Sequence, residues 1–207
     1  MKNKPFIGIA GNIGVGKTTF TKMVSEKLNL NPYYESVDDN PYLSDFYTDM
    51  ERWSFNLQIY FLQHRFSHHM EIVNSNKGVI QDRTIYEDFS IFALNLYEMK
   101  IMSERDWLTY KDLFLNMTQF LKKPDLIIYL KASTDTLIGR IKNRNRGYEK
   151  DMNQEYLHKL NIYYKRWFSQ NLDYNVLEID TNNFNIFNDR DKFDKICNDI
   201  NIKLDKL

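Results

Sequence analysis

Five short apolar runs recur along the chain and predict buried β-strands. Each run is four to six residues long and several are rich in Ile, Val and Tyr. Strict apolar–polar alternation is absent, which is typical of strands that are covered on both faces. The predicted strands are Phe6–Ala10, Tyr33–Val37, Gly78–Gln81, Asp125–Leu130 and Asn175–Ile179.

Segments with helical spacing of apolar residues lie between these runs. The predicted helices are 18–28, 51–74 and 103–121, a helix capped by Ser133 or Thr134, and an amphipathic segment from Asp189. Ser103, with Asp106 three residues later, is a predicted N-cap. Strands that alternate with helices predict parallel βαβ units. We therefore expect an α/β fold, a five-stranded parallel sheet with helices on both faces.

Length and charge narrow the class of protein. The 207 residues fit one domain over 1–207, and the single cysteine, Cys197, excludes a disulfide framework or a cysteine-rich metal site. The chain carries 28 basic and 28 acidic residues. This balance argues against nucleic acid or a membrane surface as a partner, because both attract a basic protein.

No run approaches the roughly 18 apolar residues of a membrane span, and the first apolar run is too short for a signal peptide. We expect a cytoplasmic protein.

The strongest local motif is a phosphate-binding loop. Residues 11–18 satisfy G-x-x-x-x-G-K-[ST] and lie between the first predicted strand and the first predicted helix. In such a loop the backbone N–H groups and the helix dipole surround phosphate oxygens, the lysine contacts the β- and γ-phosphates, and the hydroxyl contacts Mg²⁺. We therefore predict ATP and Mg²⁺ as ligands. The predicted ATP-binding residues of this segment are Gly11, Asn12, Ile13, Gly14, Val15, Gly16, Lys17, Thr18 and Thr19.

The rest of the chain indicates which kind of phosphate-loop protein this is. The Asn-Lys-x-Asp motif that specifies guanine is absent, and the closest segment, 142–145, lacks the acid. A motor or helicase would normally be larger. A small kinase fits the length best.

Two acidic positions lie near the carboxyl ends of predicted strands and suggest a site for the acceptor. The carboxyl ends of strands in an open α/β sheet line the ligand crevice, so Glu35 and the pair Asp82-Arg83 are expected there. A carboxylate can accept the proton of an alcohol that is phosphorylated. An Asp after the third strand can order Mg²⁺ and its water. The alternatives are a solvated turn acid for Glu35 and a surface salt bridge for Asp82-Arg83.

A basic run and a glutamine complete the candidate site. Residues 139–146 carry four basic side chains and Lys150 follows, so the segment of about 140–150 is a predicted arginine-rich lid that neutralises the transferring phosphoryl group. A solvated basic helix end is the alternative. Among the aromatic residues of 53–61, which we expect to be mostly core, Gln58 could hydrogen-bond a base through both atoms of its amide. The histidines show no zinc-binding pattern, and we predict no transition-metal site.

Together these positions resemble the deoxyribonucleoside kinases. The resemblance lies with the deoxycytidine, deoxyguanosine and deoxyadenosine kinase branch, in particular with bacterial purine-preferring members, and it extends over essentially the whole chain. The motifs that carry it occur in the same order at compatible spacings: Gly11–Thr18, Glu35, Tyr47, Trp53–Gln58, Arg65, Asp82-Arg83-Thr84, Asp88 and Arg140–Glu149.

The resemblance implies an ATP-dependent kinase that phosphorylates the 5′-hydroxyl of a deoxyribonucleoside in nucleotide salvage. Its implied catalytic residues are Glu35 as the general base, Arg83 and Lys17, with Thr18 and Asp82 organising Mg²⁺. The implied lid arginines are Arg140, Arg144 and Arg146. The implied substrate-binding residues are Glu35, Tyr47, Trp53, Gln58, Arg65, Arg83, Asp88, Phe89 and Glu149, of which Trp53 and Phe89 would pack about the base and Tyr47 and Glu149 would hold the sugar 3′-hydroxyl.

The sequence departs from the family at one motif. It also does not determine which base the substrate carries. Asp82-Arg83-Thr84 stands where many relatives have Glu-Arg-Ser, and the shorter acid favours Mg²⁺ contact through water. Overall similarity to bacterial members favours deoxyadenosine, with deoxyguanosine and deoxycytidine as alternatives and thymidine ranked low. The pair Arg65 and Asp88 does not choose among the first three.

The sequence leaves two alternative functions open. A nucleoside monophosphate kinase or another small phosphate-loop kinase is disfavoured by Glu35, because a carboxylate repels an acceptor phosphate. The remaining alternative is a nucleotide-sensing module without turnover.

The aromatic content of 15% is high for one small core. We therefore expect a homodimer that packs through the helices at 51–74 and 103–121.

Overall fold

The computed structural model describes residues 4–35, 37, 39–149, 152–170 and 174–206. Its centre is a five-stranded parallel sheet in the order β2-β3-β1-β4-β5, which confirms the predicted fold class. The strands are β1 (Phe6–Gly11), β2 (Asn31–Tyr33), β3 (Val79–Asp82), β4 (Leu126–Lys131) and β5 (Val176–Asp180).

The central strand, β1, is paired on both sides. Ile7 lies opposite Ile80 of β3 and Leu126 of β4. All six residues of β1 and all four of β3 are buried, as expected for strands with helices on both faces. The two outer strands, β2 and β5, are more exposed.

Nine α-helical segments surround the sheet within the described residues. They are α1 (Lys17–Leu28), α2 (Leu43–Thr48), α3 (Met50–Val73), α4 (Ile85–Glu87), α5 (Leu94–Glu98), α6 (Glu104–Thr118), α7 (Thr134–Arg144), α8 (Gln154–Gln170) and α9 (Arg190–Leu204). The predicted caps are confirmed, since the Ser103 hydroxyl accepts from the N–H of Asp106 and the Ser133 hydroxyl accepts from that of Thr136.

Two hydrophobic cores lie on opposite faces of the sheet. One core joins Ile9 and Ile128 to Phe20 of α1 and Ile196 of α9. The other joins alternate strand residues such as Ile127 to the larger helical layer of α3, α6 and α8, which supplies Leu62, Tyr110 and Tyr164 among others. Adjacent strand residues point to opposite faces, and this alternation divides the apolar residues of one strand between the two cores.

The predicted second strand is wrong in its bounds. Tyr33–Val37 was expected, but β2 covers Asn31–Tyr33 and pairs with β3 up to Gln81; Ser36 lies outside the described residues. Glu35 therefore lies beyond the strand, where its side chain contacts Arg65 and Arg83. Pro32 has no N–H to donate, which the strand tolerates because β2 is at the edge of the sheet.

A π-helical stretch, Asp88–Ala93, joins α4 to α5. Such stretches are rare and occur frequently at functional sites. The stretch begins with Asp88, a predicted substrate-binding residue, so it positions part of the candidate site. None of the helices in the described part of the chain is both long enough and apolar enough to cross a membrane.

Candidate functional site

The phosphate loop lies between β1 and α1, as the motif predicts. Gly14 and Gly16 have φ values of 82° and 100°, in the left-handed region that favours glycine. A Cβ on Gly14 would also come within 2.7 Å of Ile141. Lys17 is buried and its Nζ lies 3.2 Å from the carbonyl oxygen of Asn12. Burial and the neighbouring Arg83 lower the pKa of Lys17 to about 8.

Helix α8 supports the loop through a contact that the motif does not reveal. The Asn12 amide donates to the Leu157 carbonyl at 2.9 Å and to the Asn161 side chain at 2.8 Å. Asn161 in turn donates to the carbonyl of Ala132, just after β4. The second residue of the loop is therefore connected to both α8 and β4.

Thr18 and Asp82 come together at the mouth of the loop. The Thr18 hydroxyl donates to Asp82 Oδ2 at 2.6 Å, while Asp82 Oδ1 has no hydrogen-bond partner among the residues that the structure describes. Burial raises the pKa of Asp82, against the effect of nearby Lys17. No group of three or more His, Cys, Asp or Glu in the described ranges could hold a metal ion alone. A hydroxyl beside a carboxylate with one unused oxygen fits Mg²⁺ that also binds phosphates and water.

The three acceptor-side residues Glu35, Arg65 and Arg83 meet although they come from separate elements. Arg65 of α3 forms an ion pair with Glu35, and Arg83 Nε lies 3.4 Å from the other carboxylate oxygen of Glu35. Burial alone would raise the pKa of Glu35, but Arg65, Arg83 and Lys17 outweigh it and lower the pKa to about 2. Glu35 is therefore ionised throughout the physiological pH range.

Asp88 is the second ion-pair partner of Arg65 and behaves differently from Glu35. Its side chain is 2% exposed. Burial outweighs the attraction of Arg65 and Arg83 and raises the pKa of Asp88 to about 7. The two carboxyl groups that share Arg65 therefore titrate far apart, which is common at functional sites.

A cavity of about 450 Å³ connects these groups. Lys17 and Thr18 line it together with Glu35, Gln58 and Asp88. The Gln58 side chain is buried and its Oε1 finds no hydrogen-bond partner within the described chain, so the amide oxygen is available to a ligand in the cavity. The size and the few polar groups are typical of a small-molecule site.

Most of the other predicted site residues also line this cavity; the ones that do not are Gly11, Asn12, Val15, Trp53, Arg65 and Phe89. Tyr47, Arg83, Glu149 and the three predicted lid arginines contribute to its wall, as do Ile13, Gly14, Gly16 and Thr19. Trp53 instead packs near Tyr42, with ring centroids 5.9 Å apart, and Phe89 stacks on Phe114 at 4.1 Å. The sequence predicts that these two rings pack about the base, but neither ring is part of the cavity wall.

Phe61 and Phe92 occupy the cavity wall and were missed in the sequence. The Arg65 guanidinium lies 4.7 Å from the Phe61 ring centroid, and that of Arg83 lies 4.1 Å from the Phe92 ring centroid. Helical spacing could have identified both rings. Phe61 follows Gln58 by three positions and Phe92 follows Asp88 by four, so each shares a face with a predicted polar residue.

The predicted lid arginines lie on α7 and just after it. Arg140 donates to the carbonyl of Val15 at 3.1 Å and to the Thr181 hydroxyl at 3.0 Å, which connects α7 to the phosphate loop. Arg144 forms an ion pair with Glu149, and Arg146 Nη1 lies 3.9 Å from the same carboxylate. Lys150, the last residue of the predicted lid, lies outside the described residues.

Two further polar residues reach the site from elements that carry no motif. Glu87 of α4 is fully buried; it accepts from the N–H of Gly11 at 3.2 Å and lies 3.3 Å from Arg83 Nη1. Tyr164 of α8 is also buried, and its hydroxyl contacts both Glu87 and the Gly11 carbonyl. Sequence reasoning missed both residues.

A second cavity, of about 550 Å³, lies on the other side of the phosphate loop. It shares Gly16, Thr19 and Arg140 with the first cavity. Most of its remaining wall is the segment 181–189 that follows β5. The two cavities therefore meet at the loop.

Comparisons with known proteins agree on one family. The model of the deoxynucleoside kinase family matches residues 7–205. A deoxyadenosine/deoxycytidine kinase of Bacillus subtilis is 38% identical over 196 residues, 94% of this chain and 90% of the relative. A deoxyadenosine kinase of Dictyostelium discoideum is 48% identical over 160 residues, 77% of this chain and 65% of the relative.

Solved structures give the same result. A deoxyadenosine kinase from M. mycoides with bound dATP superposes with a TM-score of 0.84 at 32% identity, covering 95% of this chain and 99% of that one. The same enzyme with dCMP and a flexible dCDP also gives a TM-score of 0.84, at 34% identity, covering 94% and 98%.

Proposed function

This chain belongs to the deoxynucleoside kinase family, and from that premise we propose that it transfers the γ-phosphoryl group of ATP to the 5′-hydroxyl of a deoxyribonucleoside, with deoxyadenosine preferred and deoxyguanosine or deoxycytidine as alternatives. The observation that carries this proposal is one cavity with Lys17 and Thr18 at one end, Glu35 beside them, and the Gln58 amide in the same wall. This arrangement suits a phosphate donor, an alcohol and a base together.

In the proposed reaction Glu35 receives the proton of the 5′-hydroxyl. The hydroxyl oxygen forms a bond to the γ-phosphorus, the bond from that phosphorus to the bridging oxygen breaks, and ADP leaves with the electron pair. Ion pairs with Arg65 and Arg83 keep Glu35 ionised and fix its orientation. The low pKa of Glu35 suits a loose transition state, in which the attacking hydroxyl needs orientation more than early deprotonation.

Positive side chains around the loop offset the charge of the transferring group. Lys17 and Arg83 lie beside Glu35, and Arg144 and Arg146 line the same cavity beside Glu149. Preorganised cations in a water-poor site stabilise developing phosphate charge strongly. The proposed lid over about 140–150 would bring the arginines of this segment onto the phosphates when ATP binds.

Mg²⁺ fits the proposed site beside Thr18 and Asp82. The Thr18 hydroxyl and the unpaired Oδ1 of Asp82 supply oxygen ligands, directly or through water. The ion would neutralise charge on the β- and γ-phosphates. Removal of Mg²⁺ with excess chelator should therefore abolish transfer.

Gln58, Arg65 and Asp88 are the proposed base-reading groups. An amide offers a donor and an acceptor, which match the ring nitrogen and exocyclic amine of adenine or of cytosine. The preference for deoxyadenosine is supported by the names of the Bacillus and Dictyostelium relatives, both deoxyadenosine-phosphorylating enzymes. The second cavity, bounded by Arg140 and segment 181–185, is the proposed location of the donor base.

One experiment tests the proposal. Labelled Mg-ATP is incubated with deoxyadenosine, deoxyguanosine, deoxycytidine, thymidine, adenosine or dAMP, and each product is quantified. Transfer to deoxyadenosine above the other acceptors, and none to dAMP, is the expected result. Transfer to dAMP alone would contradict the role of Glu35 and favour a nucleoside monophosphate kinase.

We also propose a homodimer formed through α3 and α6. These two helices pack together and expose apolar side chains, Met70 and Val73 on α3 and Leu108 and Leu115 on α6. Light scattering after size-exclusion chromatography should give the mass of a dimer, and Leu108→Asp combined with Leu115→Asp should give that of a monomer.

A single domain over 1–207 and a cytoplasmic location stay predictions. Limited proteolysis tests the first and cell fractionation tests the second.

A further inference from the structure

Glu87 is a buried carboxylate that the proposed reaction does not use. It is 0% exposed and has three polar partners: it accepts from the N–H of Gly11 at 3.2 Å, accepts from the Tyr164 hydroxyl, and lies 3.3 Å from Arg83 Nη1. A buried carboxylate is expensive unless such partners compensate it. The partners belong to the phosphate loop, to α8 and to the residue that follows β3.

Contacts with the same residues hold most of the nitrogen atoms of the Arg83 guanidinium. Nη1 also donates to the Tyr164 hydroxyl at 3.3 Å, and Nη2 donates to the carbonyl of Gly11 at 3.3 Å. Phe92 covers one face of the guanidinium. The remaining nitrogen, Nε, is the one near Glu35. The scaffold therefore fixes which edge of Arg83 is presented to the acceptor side.

Arg83 also has an unusual backbone that needs support. Its φ is 68°, in the left-handed region, and its N–H donates to the carbonyl of Ile9 in β1 at 3.0 Å. Strained residues of this kind persist when surrounding contacts determine their position, and they cluster at functional sites. Glu87 and Tyr164 supply such contacts to the side chain.

Charge gives Glu87 a second effect on the same arginine. Arg83 lies between two carboxylates, with Glu35 on the cavity side and Glu87 on the interior side. Burial raises the pKa of Glu87 and the nearby Arg83 opposes this rise, so neutralising the interior carboxyl group removes one of the two ion-pair partners of the guanidinium. Its interaction with Glu35 then strengthens, and its position relative to the phosphate loop is less determined.

We propose that Glu87, together with Tyr164, is a positioning residue for phosphoryl transfer, which holds Arg83 at a fixed place relative to Gly11 of the phosphate loop. The inference rests on the proposed function, because it assigns Arg83 a role at the transferring group. Neither Glu87 nor Tyr164 lines the cavity, so their effect on the reaction is exerted through Arg83 and Gly11.

The test uses two substitutions that keep shape. Glu87→Gln removes the charge and Tyr164→Phe removes one hydroxyl. We expect each to lower kcat by at least about tenfold, because small misplacement of a reacting group is costly. KM for ATP and for the deoxynucleoside should change less than about threefold, since the groups that contact both ligands remain. The double variant should lose no more than the more affected single variant, since both act through one network.

The chain offers a matched control. Glu98 also accepts from a tyrosine, Tyr163, and lies 3.2 Å from an arginine, Arg166, between the neighbouring helices α5 and α8. Glu98 and Arg166 are solvent-exposed, Tyr163 is partly buried, and none of the three lines the cavity. Glu98→Gln and Tyr163→Phe should leave kcat within about twofold of the unsubstituted protein.

The outcomes separate this inference from the proposed function. If the unsubstituted protein transfers no phosphoryl group to any nucleoside, the proposed function fails. If it does, and folded Glu87→Gln or Tyr164→Phe retains full kcat with only a lower Tm, the two residues are merely structural and the inference is overturned. Should Glu87→Gln not fold, Tyr164→Phe decides alone, because it keeps the ring that fills the core.

Discussion

The proposed donor and acceptor halves of the site are built in different ways. Residues 11–18 form the donor half in one continuous segment, largely from backbone groups whose geometry the glycines permit. The proposed acceptor half consists of side chains from separate elements: Glu35 after β2, Gln58 and Arg65 on α3, and Asp88 at the start of the π-helical stretch. Backbone groups recognise any polyphosphate, whereas side chains distinguish one base from another. We therefore expect substrate choice to depend on the acceptor half alone.

Lys17→Ala is expected to have the largest effect and to act on the donor half. Activity should fall by more than about a thousandfold, because the buried ammonium is the point charge for the β- and γ-phosphates. Steady-state kinetics with deoxyadenosine measures the loss. Lys22→Ala, an exposed lysine on the same helix, is the control and should have full activity. A well-folded, active Lys17→Ala would contradict the phosphate-loop assignment.

Glu35→Gln should reduce turnover without weakening ATP binding, and so distinguish the acceptor half from the donor half. We expect kcat to fall by at least about a hundredfold, the usual loss for a general base. The Kd for Mg-ATP, measured by titration calorimetry, should stay within about twofold, because Glu35 belongs to the acceptor side. Normal turnover would contradict its role as the base.

Arg65→Ala and Asp88→Ala should change base preference more than ATP affinity. The kcat/KM ratio of deoxyadenosine to deoxyguanosine should shift by at least about tenfold, since a buried polar group that loses its partner discriminates differently. Competition assays with the two nucleosides measure the ratio. If both substitutions leave the ranking of nucleosides unchanged, base selection lies elsewhere.

The smallest expected effect is a pH dependence confined to the donor half. The pKa of Lys17 is lowered to about 8, so the free enzyme loses this positive charge as pH rises through that value. ATP favours the charged form, and its affinity should therefore fall by about fourfold between pH 7.0 and 8.5. Fluorescence titration of ATP at several pH values checks this. An affinity that rises with pH would contradict the sign.

The same contrast explains what the sequence could predict. The sequence predicts the phosphate loop because its residues are contiguous, and it predicts Asp82 and Arg83 because they come directly after the third predicted strand. Glu87 and Tyr164 gave no local signal. A glutamate on a short helix and a tyrosine on an amphipathic one are indistinguishable from surface and core residues until the fold places them beside Gly11.

The differences between the predicted positions and the structure have geometric causes. Gln58 lines the cavity, but Trp53 is five positions away and lies on a different side of α3. Phe89 directly follows Asp88 and points away from it, whereas Phe92 returns to the same side. The second strand was placed too late because Tyr33–Val37 is no more apolar than its surroundings. Only the pairing of β2 with β3 defines where that strand ends.

The central position of β1 has a consequence for how the protein is made. Its two neighbours begin at Val79 and Leu126, so one side of the strand that carries the phosphate loop has no hydrogen-bonded partner until more than half of the chain has left the ribosome. A nascent chain that ends before Leu126 contains the whole loop motif without the complete sheet that holds it. Because non-local pairing is formed late, the segment of the site that is synthesised first is among the last to acquire its working shape.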